Sequence, residues 1–529
     1  MLPIYYKKLF KGDFPIMTSL MSLAAERSRV AACAFALALA GCNGAPNTAA
    51  ETAPTAADLP ATANASTAMP EALNMSLLGS HNLQGRSAYH SVAHDIGNRT
   101  ILFVGHHAGE ALNPMTSRVE ANGMSVLDVT DPASPQLLVH FPPTNPEASG
   151  TQHVQVCDGE ALPGGDPGRT YLARTEGRLG YEVLDVSNPA TPKFVAHVDD
   201  TGESPRPESQ RGSRETHKLF WDCESGIGYF NGTADGWLVT RLLQVYDLGD
   251  PSNPRHIRDF GLDGWQPGSE GPMPAPGIAG LHQPFVVGNR MYLGYESGES
   301  GVLQILDRDL FLNGDPSVEN PMAPTTQNLQ HPQIARLDMP SFWGAHTAKP
   351  IYDVPIADYS DDRDLPSRDL LLVPSEATGA ACQGPRDVVF ILDITDEAKP
   401  FVISTYQADA KPGNFCSRGG RFGPHSINDA YHPAFDKTLM VVSYFSGGIR
   451  AVDIRNPFRP VEVGYFVPEI NETTAETCFN ENGTRSCKVA IQTNNVDLDS
   501  RGYIYAVDRA GSGLHIVELT GEARQIVGL

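Results

Sequence analysis

Between residues 73 and 529 the chain alternates apolar and polar positions in short runs broken by Asp, Asn, Gly and Pro. A period of two marks a strand with one buried face. One phrase recurs: MSVLDVTDPASP (124–135), YEVLDVSNPATP (181–192), LQVYDLGDPSNP (243–254), LQILDRDLF (303–311), VVFILDITDEAKP (388–400), IRAVDIRNPFRP (449–460) and LHIVELTGEA (514–523). In each copy an alternating strand ends at an acidic residue. In most copies Asp/Asn and Pro then force a turn, and the fourth and seventh copies are degenerate. A further apolar stretch follows, such as QLLVHF (136–141), and two more strands precede each phrase. The pattern predicts four antiparallel strands per unit, seven times over, and no long amphipathic helix.

A four-stranded unit of roughly 40–65 residues is a propeller blade, and closing the ring protects strand edges. The expected fold is all-β, a seven-bladed β-propeller of four-stranded antiparallel blades over residues 72–529. The phrases resemble the LVIVD repeat family of bacterial surface and periplasmic propellers, a resemblance that implies a fold and no particular chemistry. Two segments compete to close the ring, NMSLLGSH (74–81) and RQIVGL (524–529). The insert DVPIADYSDDRDLPSRD (353–369) reads as a surface loop.

The first 42 residues read as an address. Arg27 and Arg29 precede an apolar run, Val30 to Ala40, that is too short to span a bilayer. It ends in Leu39-Ala40-Gly41-Cys42, which resembles the lipobox of bacterial lipoproteins and implies lipidation at Cys42. Translation from Met17 or Met21 would fit that signal. Residues 43–71 are Ala/Thr/Pro-rich and read as a disordered tether. The residue after the lipid site is Asn43 rather than Asp, which by the same resemblance implies the outer membrane. The expectation is an envelope lipoprotein facing the periplasm or the exterior.

The net charge of −23 argues against nucleic-acid partners. Six cysteines beyond Cys42 suggest disulfides in an exported chain. The expected pairs are Cys157–Cys223, Cys382–Cys416 and Cys478–Cys487.

Histidines recur where each blade's first strand begins: His90, His153, His217, His282, His346 and His425, at gaps of 63, 64, 65, 64 and 79 residues. Asn495 takes the seventh place. First strands line a propeller's channel, so six imidazoles are expected near one axis. Two imidazolium charges about 7 Å apart repel by roughly 2 kcal/mol at an effective dielectric of 20, so most must be neutral. Neutral imidazole is the ligand form for Fe, Cu or Zn. The same histidines could instead hydrogen-bond to backbone, or line a metal-free pocket. Loops between second and third strands bring His106, His107, Arg118, Arg174, Glu176, Glu296 and Glu376 to the same face.

Three functions follow. The first is a ligand-binding or scaffold module acting through this His/Glu/Arg-lined face on an envelope protein or small molecule, with Arg174, Glu176, Glu296, Glu376, His106 and Asn495 as contacts. The second is a metal-dependent oxidoreductase, with the metal on the six axial histidines and Glu176, Glu296 or Glu376 as orienter or base. Carotenoid-cleaving oxygenases and the selenium-binding protein family are similar in carrying axial histidines on a propeller. The third is a hydrolase or lyase that clamps an anion with Arg174, Arg214 and Arg421.

Overall fold

Each complete phrase folds as the third strand of an antiparallel sheet. The acidic residue that closes it folds back onto the backbone N–H two residues on. Asp128 accepts from Thr130 at 3.0 Å, Asp185 from Ser187 at 3.0 Å, Asp247 from Gly249 at 2.9 Å, Asp393 from Thr395 at 2.9 Å and Asp453 from Arg455 at 2.9 Å. These short side-chain turns are why Asp ends the strand. In the degenerate fourth copy Asp307 instead accepts from the Leu310 N–H and caps the helix Arg308–Asn313.

A computed structural model describes residues 71–199, 216–270, 280–296, 301–356, 366–481 and 483–529. The chain is an all-β propeller. Five successive four-stranded sheets begin with the strands Ala88–Ile96, Val154–Asp158, Leu219–Asp222, Gly280–Val287 and Lys349–Pro355. The rest of the repeat forms one nine-stranded sheet. Its two halves, which begin with Phe422–Ile427 and Thr493–Leu498, are joined by a single pairing of Phe445 with Thr493. A β-bulge recurs between the third and fourth strands, at Val126/Leu127, Val183/Leu184, Val245/Tyr246, Ile305/Leu306, Ile391/Leu392 and Ala451/Val452. Bulges add twist, and the same extra twist in each unit lets successive sheets pack alike.

The first and last strands among the described residues meet in that last sheet. Met75–His81 pairs with Leu514–Leu519 and completes its outer edge. Ala72–Leu73 pairs with Val461–Phe466 in the neighbouring half. The competing closure by RQIVGL is therefore corrected: that segment lies in the helix Gly521–Val527 and beyond it. The insert at 353–369 is corrected in part. Both its ends belong to paired strands, Lys349–Pro355 and Ser367–Pro374, because their apolar side chains enter the core.

The core lies between sheets. Ile101, Phe103, Val126, Val154, Leu172 and Leu184 interlock the first two sheets. Each such side chain contributes about 1.5–3 kcal/mol on burial. Three disulfides add covalent ties: Cys157–Cys223 between the second and third sheets, Cys382–Cys416, and Cys478–Cys487 across a hairpin. They suit an oxidising, exported compartment. Among the described residues no helix is long and apolar enough to cross a membrane. The expectations for Met17, Met21, Cys42, the tether up to residue 70 and Arg214 lie outside the described residues.

Candidate metal centre

Glycines bring the incoming backbone of each next sheet close to the axis. A Cβ on Gly105 would meet the Thr151 carbonyl oxygen at 2.1 Å, and one on Gly294 would meet the Ala345 oxygen at 2.5 Å. These close approaches place His153 and His346 at the start of their inner strands.

The six expected histidines do not form one ring. They divide into a group of four, His217, His282, His346 and His425, and a pair, His90 and His153. In the group of four, ring centroids follow one another at 4.6, 3.5 and 4.6 Å. His217 Nε2 lies 2.9 Å from His282 Nε2. The pair is stacked at 3.9 Å.

The division has a cause in the backbone. The inner-strand register breaks between Ala88 and His90, Leu281 and Gln283, Phe422 and Ser426, and Thr493 and Asn495. The residues left out of register include Tyr89, His282, His425 and Asn494. A one-residue slip exchanges the faces of a strand. In the first sheet the equivalent of His282 is thus Tyr89 rather than His90, and in the last it is Asn494 rather than Asn495. Tyr89 Oη sits 2.9 Å from His217 Nε2, inside the group of four. Asn495 is a structural residue, accepting from the Ser91 N–H at 3.3 Å.

The hydrogen bonds around the four rings fix their protons. His217 Nδ1 faces Gln152 Oε1 at 2.9 Å. His425 Nδ1 contacts the Asn494 carbonyl oxygen. His346 Nδ1 faces Thr347 Oγ1 at 2.9 Å. That hydroxyl donates to Gln283 Oε1 at 3.2 Å, and Gln283 Nε2 donates to Asp429 Oδ2 at 3.0 Å. The carboxylate can only accept, so it orients the whole sequence. Each of the three rings therefore carries its proton on Nδ1 and presents a lone pair at Nε2. His346 Nε2 and His282 Nδ1 have no hydrogen-bond partner among the described residues. Burial pushes all four imidazoles well below their ordinary pKa, so all four are neutral at pH 7.

Two carboxylates stand behind the group. Glu296 Oε1 lies 3.6 Å from His282 Nε2, and Glu376 Oε1 lies 3.9 Å from His425 Nε2. Burial pushes the Glu296 carboxyl well above its usual value. Glu376 also accepts from Arg421 at 2.5 Å and lies 3.7 Å from Arg509. His282, Glu296 and His346 offer ligand atoms within 4.8 Å of one another, as do His346, Glu376 and His425. Two ligands on one tetrahedral zinc-like ion are about 3.5 Å apart, so side chains spaced more widely than that would have to rotate inward to share an ion.

Other expected contacts lie elsewhere. The Arg174 guanidinium is fully buried between two sheets, donating to Glu182 of its own sheet and to the Phe141 and Pro142 carbonyls at the edge of the first. Glu176 accepts from the Asn145 N–H at 2.7 Å and pairs with His197. His106 bonds Ser125 at 2.8 Å. His107 bonds Ser87 at 3.0 Å, beside Tyr89. Arg118 starts an exposed strand of a separate hairpin, Glu110–Asn113 with Arg118–Ala121. The sequence reading missed Tyr89, Lys218 and Asp429. Lys218 is buried with its Nζ over the Tyr89 ring at 4.8 Å, and burial pulls its pKa to about 8. Its place beside His217 was a usable signal.

Comparison with known proteins bears on the fold. Residues 171–200 match the LVIVD repeat model. No curated protein matches. Similar solved structures include Sqt1 from Chaetomium thermophilum (12% identity, TM-score 0.44, covering 84% of this chain and 99% of that one). Others are the Neurospora crassa Pan2 WD40 domain (11%, 0.43, 86% and 98%) and a Pseudomonas aeruginosa periplasmic gluconolactonase (13%, 0.40, 70% and 86%). Likeness this distant carries no chemistry across. With the repeat matched at 171–200 and the sheets arranged as blades, the chain is a β-propeller that carries an LVIVD repeat.

Proposed function

We propose that this chain is a metal-dependent oxidoreductase of the cell envelope, built on a seven-bladed ring with a first-row transition metal ion on its axis. One observation carries the reading. His217, His346 and His425 are each held by an outer acceptor in the tautomer that puts the lone pair on Nε2, His217 Nε2 meets His282 Nε2 at 2.9 Å, and His282 and His346 with Glu296, and His346 and His425 with Glu376, offer ligand atoms within 4.8 Å of one another. Outer acceptors that fix a ligand's tautomer are the usual support of a metal site. Four neutral imidazoles suit iron, copper or zinc, and iron or copper would supply redox chemistry there. Glu296 and Glu376 would orient the ion's open positions, and Arg421 and Arg509 would favour an anionic small-molecule ligand at the mouth. A ligand-binding or scaffold role needs only the ring and gives no reason for the bare nitrogens.

In this reading Cys42 carries the lipid, residues 43–70 form the tether, and the propeller sits at the outer membrane. The disulfides support export. Fatty-acid labelling that survives Cys42→Ser would sink the anchor.

The metal is tested by elemental analysis of untagged protein. About one iron, copper or zinc per chain at this cluster, lost in His346→Ala plus His425→Ala, is the expected result. A metal content below about 0.2 per chain that stays there after incubation with each ion would overturn it.

A further inference from the structure

We propose that His90, His153 and Asp429 form a second cation site, separate from the four-histidine cluster and independent of the function proposed above. The pair was expected to belong to one ring with the other four. The bulge at Tyr89 instead turns His90 onto His153, one layer away, where the two rings stack at 3.9 Å.

The site is built and unsatisfied. His153 is completely buried, and neither of its ring nitrogens has a hydrogen-bond partner among the described residues. Asp429 Oδ1 is buried and has none among them either. Leaving such groups bare is unfavourable, each by about 1–3 kcal/mol. One nitrogen from each ring and one carboxylate oxygen lie within 4.8 Å of one another. His90 and Asp429 border a cavity of about 220 Å³ whose wall also includes Gln155, Phe220 and Trp221. A cation held by the three side chains would give the buried His153 ring the partner it lacks.

His90 Nε2 is 3.3 Å from Asp429 Oδ2, a contact that an ion bound between the two groups would replace. Asp429 Oδ2 also accepts from Gln283 Nε2, which leaves Oδ1 for the ion. Two imidazoles and one carboxylate with open positions suit a borderline divalent ion, Zn²⁺ or Cu²⁺, rather than Ca²⁺ or Mg²⁺.

The test is equilibrium dialysis of metal-stripped, full-length untagged protein against Zn²⁺, with zinc counted per chain. The expected result is that His153→Gln removes one bound zinc while His346→Ala plus His425→Ala leaves that zinc in place. X-ray absorption of zinc in the double variant then shows two imidazoles and oxygen. Circular dichroism confirms that the variants are folded, and Asp429→Asn, which preserves shape, serves if His153→Gln is not. If wild type binds a single zinc that is lost only with His153 or Asp429, the four-histidine proposal fails and this one stands. If folded His153→Gln and Asp429→Asn each bind as much zinc as wild type, the orphaned atoms are served by cavity water and the second site is overturned.

Discussion

Gln283 and Asp429 are joined by a 3.0 Å hydrogen bond from an amide N–H₂ to a carboxylate oxygen, and this bond sets the proton on a histidine two residues away along the hydrogen-bond path. Because Asp429 only accepts, the Gln283 amide cannot flip, Thr347 must donate to it, and His346 must donate to Thr347. Gln283→Leu removes the link without touching a proposed ligand. We expect zinc affinity at the four-histidine cluster to fall by about 10–100-fold, as outer-sphere losses do. A chelator competition measures it, and unchanged affinity would show that the link does not govern His346.

Tyr89 acts in the opposite direction. Its hydroxyl donates to His217 Nε2, so it competes for the lone pair that an ion would use. Tyr89→Phe should raise zinc affinity several-fold while costing about 1 kcal/mol of stability for the lost bond. Weaker zinc binding in a folded Tyr89→Phe protein would contradict the ligand assignment of His217.

Acid should destabilise the propeller through histidines remote from the metal. Burial lowers the His515 pKa to about 4, whereas an unfolded histidine titrates near 6.5. The folded value is the depressed one. Its contribution is therefore complete above pH 6.5 and is lost as pH falls through about 4. At pH 5 the unfolded chain has gained a proton that the folded chain refuses, worth about 2 kcal/mol. Urea denaturation of metal-free His515→Gln should show a pH 6.5-to-5 loss smaller by that amount. An unchanged loss would refute the depressed value.

The disulfides should differ in worth. Cys157–Cys223 spans 66 residues and Cys478–Cys487 spans 9. Chain-entropy estimates give about 4 and about 3 kcal/mol. The paired Cys→Ser variant of the first should lower the melting temperature more than that of the second. The reverse order would place their effect in the folded state.

Much of the fold was legible because its signals are local. A strand that alternates, an Asp that turns back on the N–H two residues on, and a Pro after it are all written within a dozen residues. Asp307 shows the limit, since the same Asp caps a helix once the turn residues after it are replaced by Arg308 and Asp309. The site was half legible. Equal spacing located His217, His282, His346 and His425, and strand-to-strand loops located Glu296 and Glu376. Spacing could not show the bulge that puts Tyr89 rather than His90 into the cluster, because a bulge adds one residue and leaves no mark in composition. Nor could it show that Arg174 is used up between Glu182 and the edge of the neighbouring sheet.

The pairing of Met75–His81 with Leu514–Leu519 has a consequence for how the molecule is made. A chain synthesised and delivered from its N-terminus presents that first strand almost at once, yet its partner is among the last segments to arrive. Until then the strand has an open edge and nothing to lie against, and the final sheet cannot form at all. Assembly thus stays incomplete through nearly the whole of delivery and finishes in one late event. A stop codon only about sixteen residues early would remove both the late strand and the use of the early one, so a nearly complete chain should be as unable to close as a half-made one.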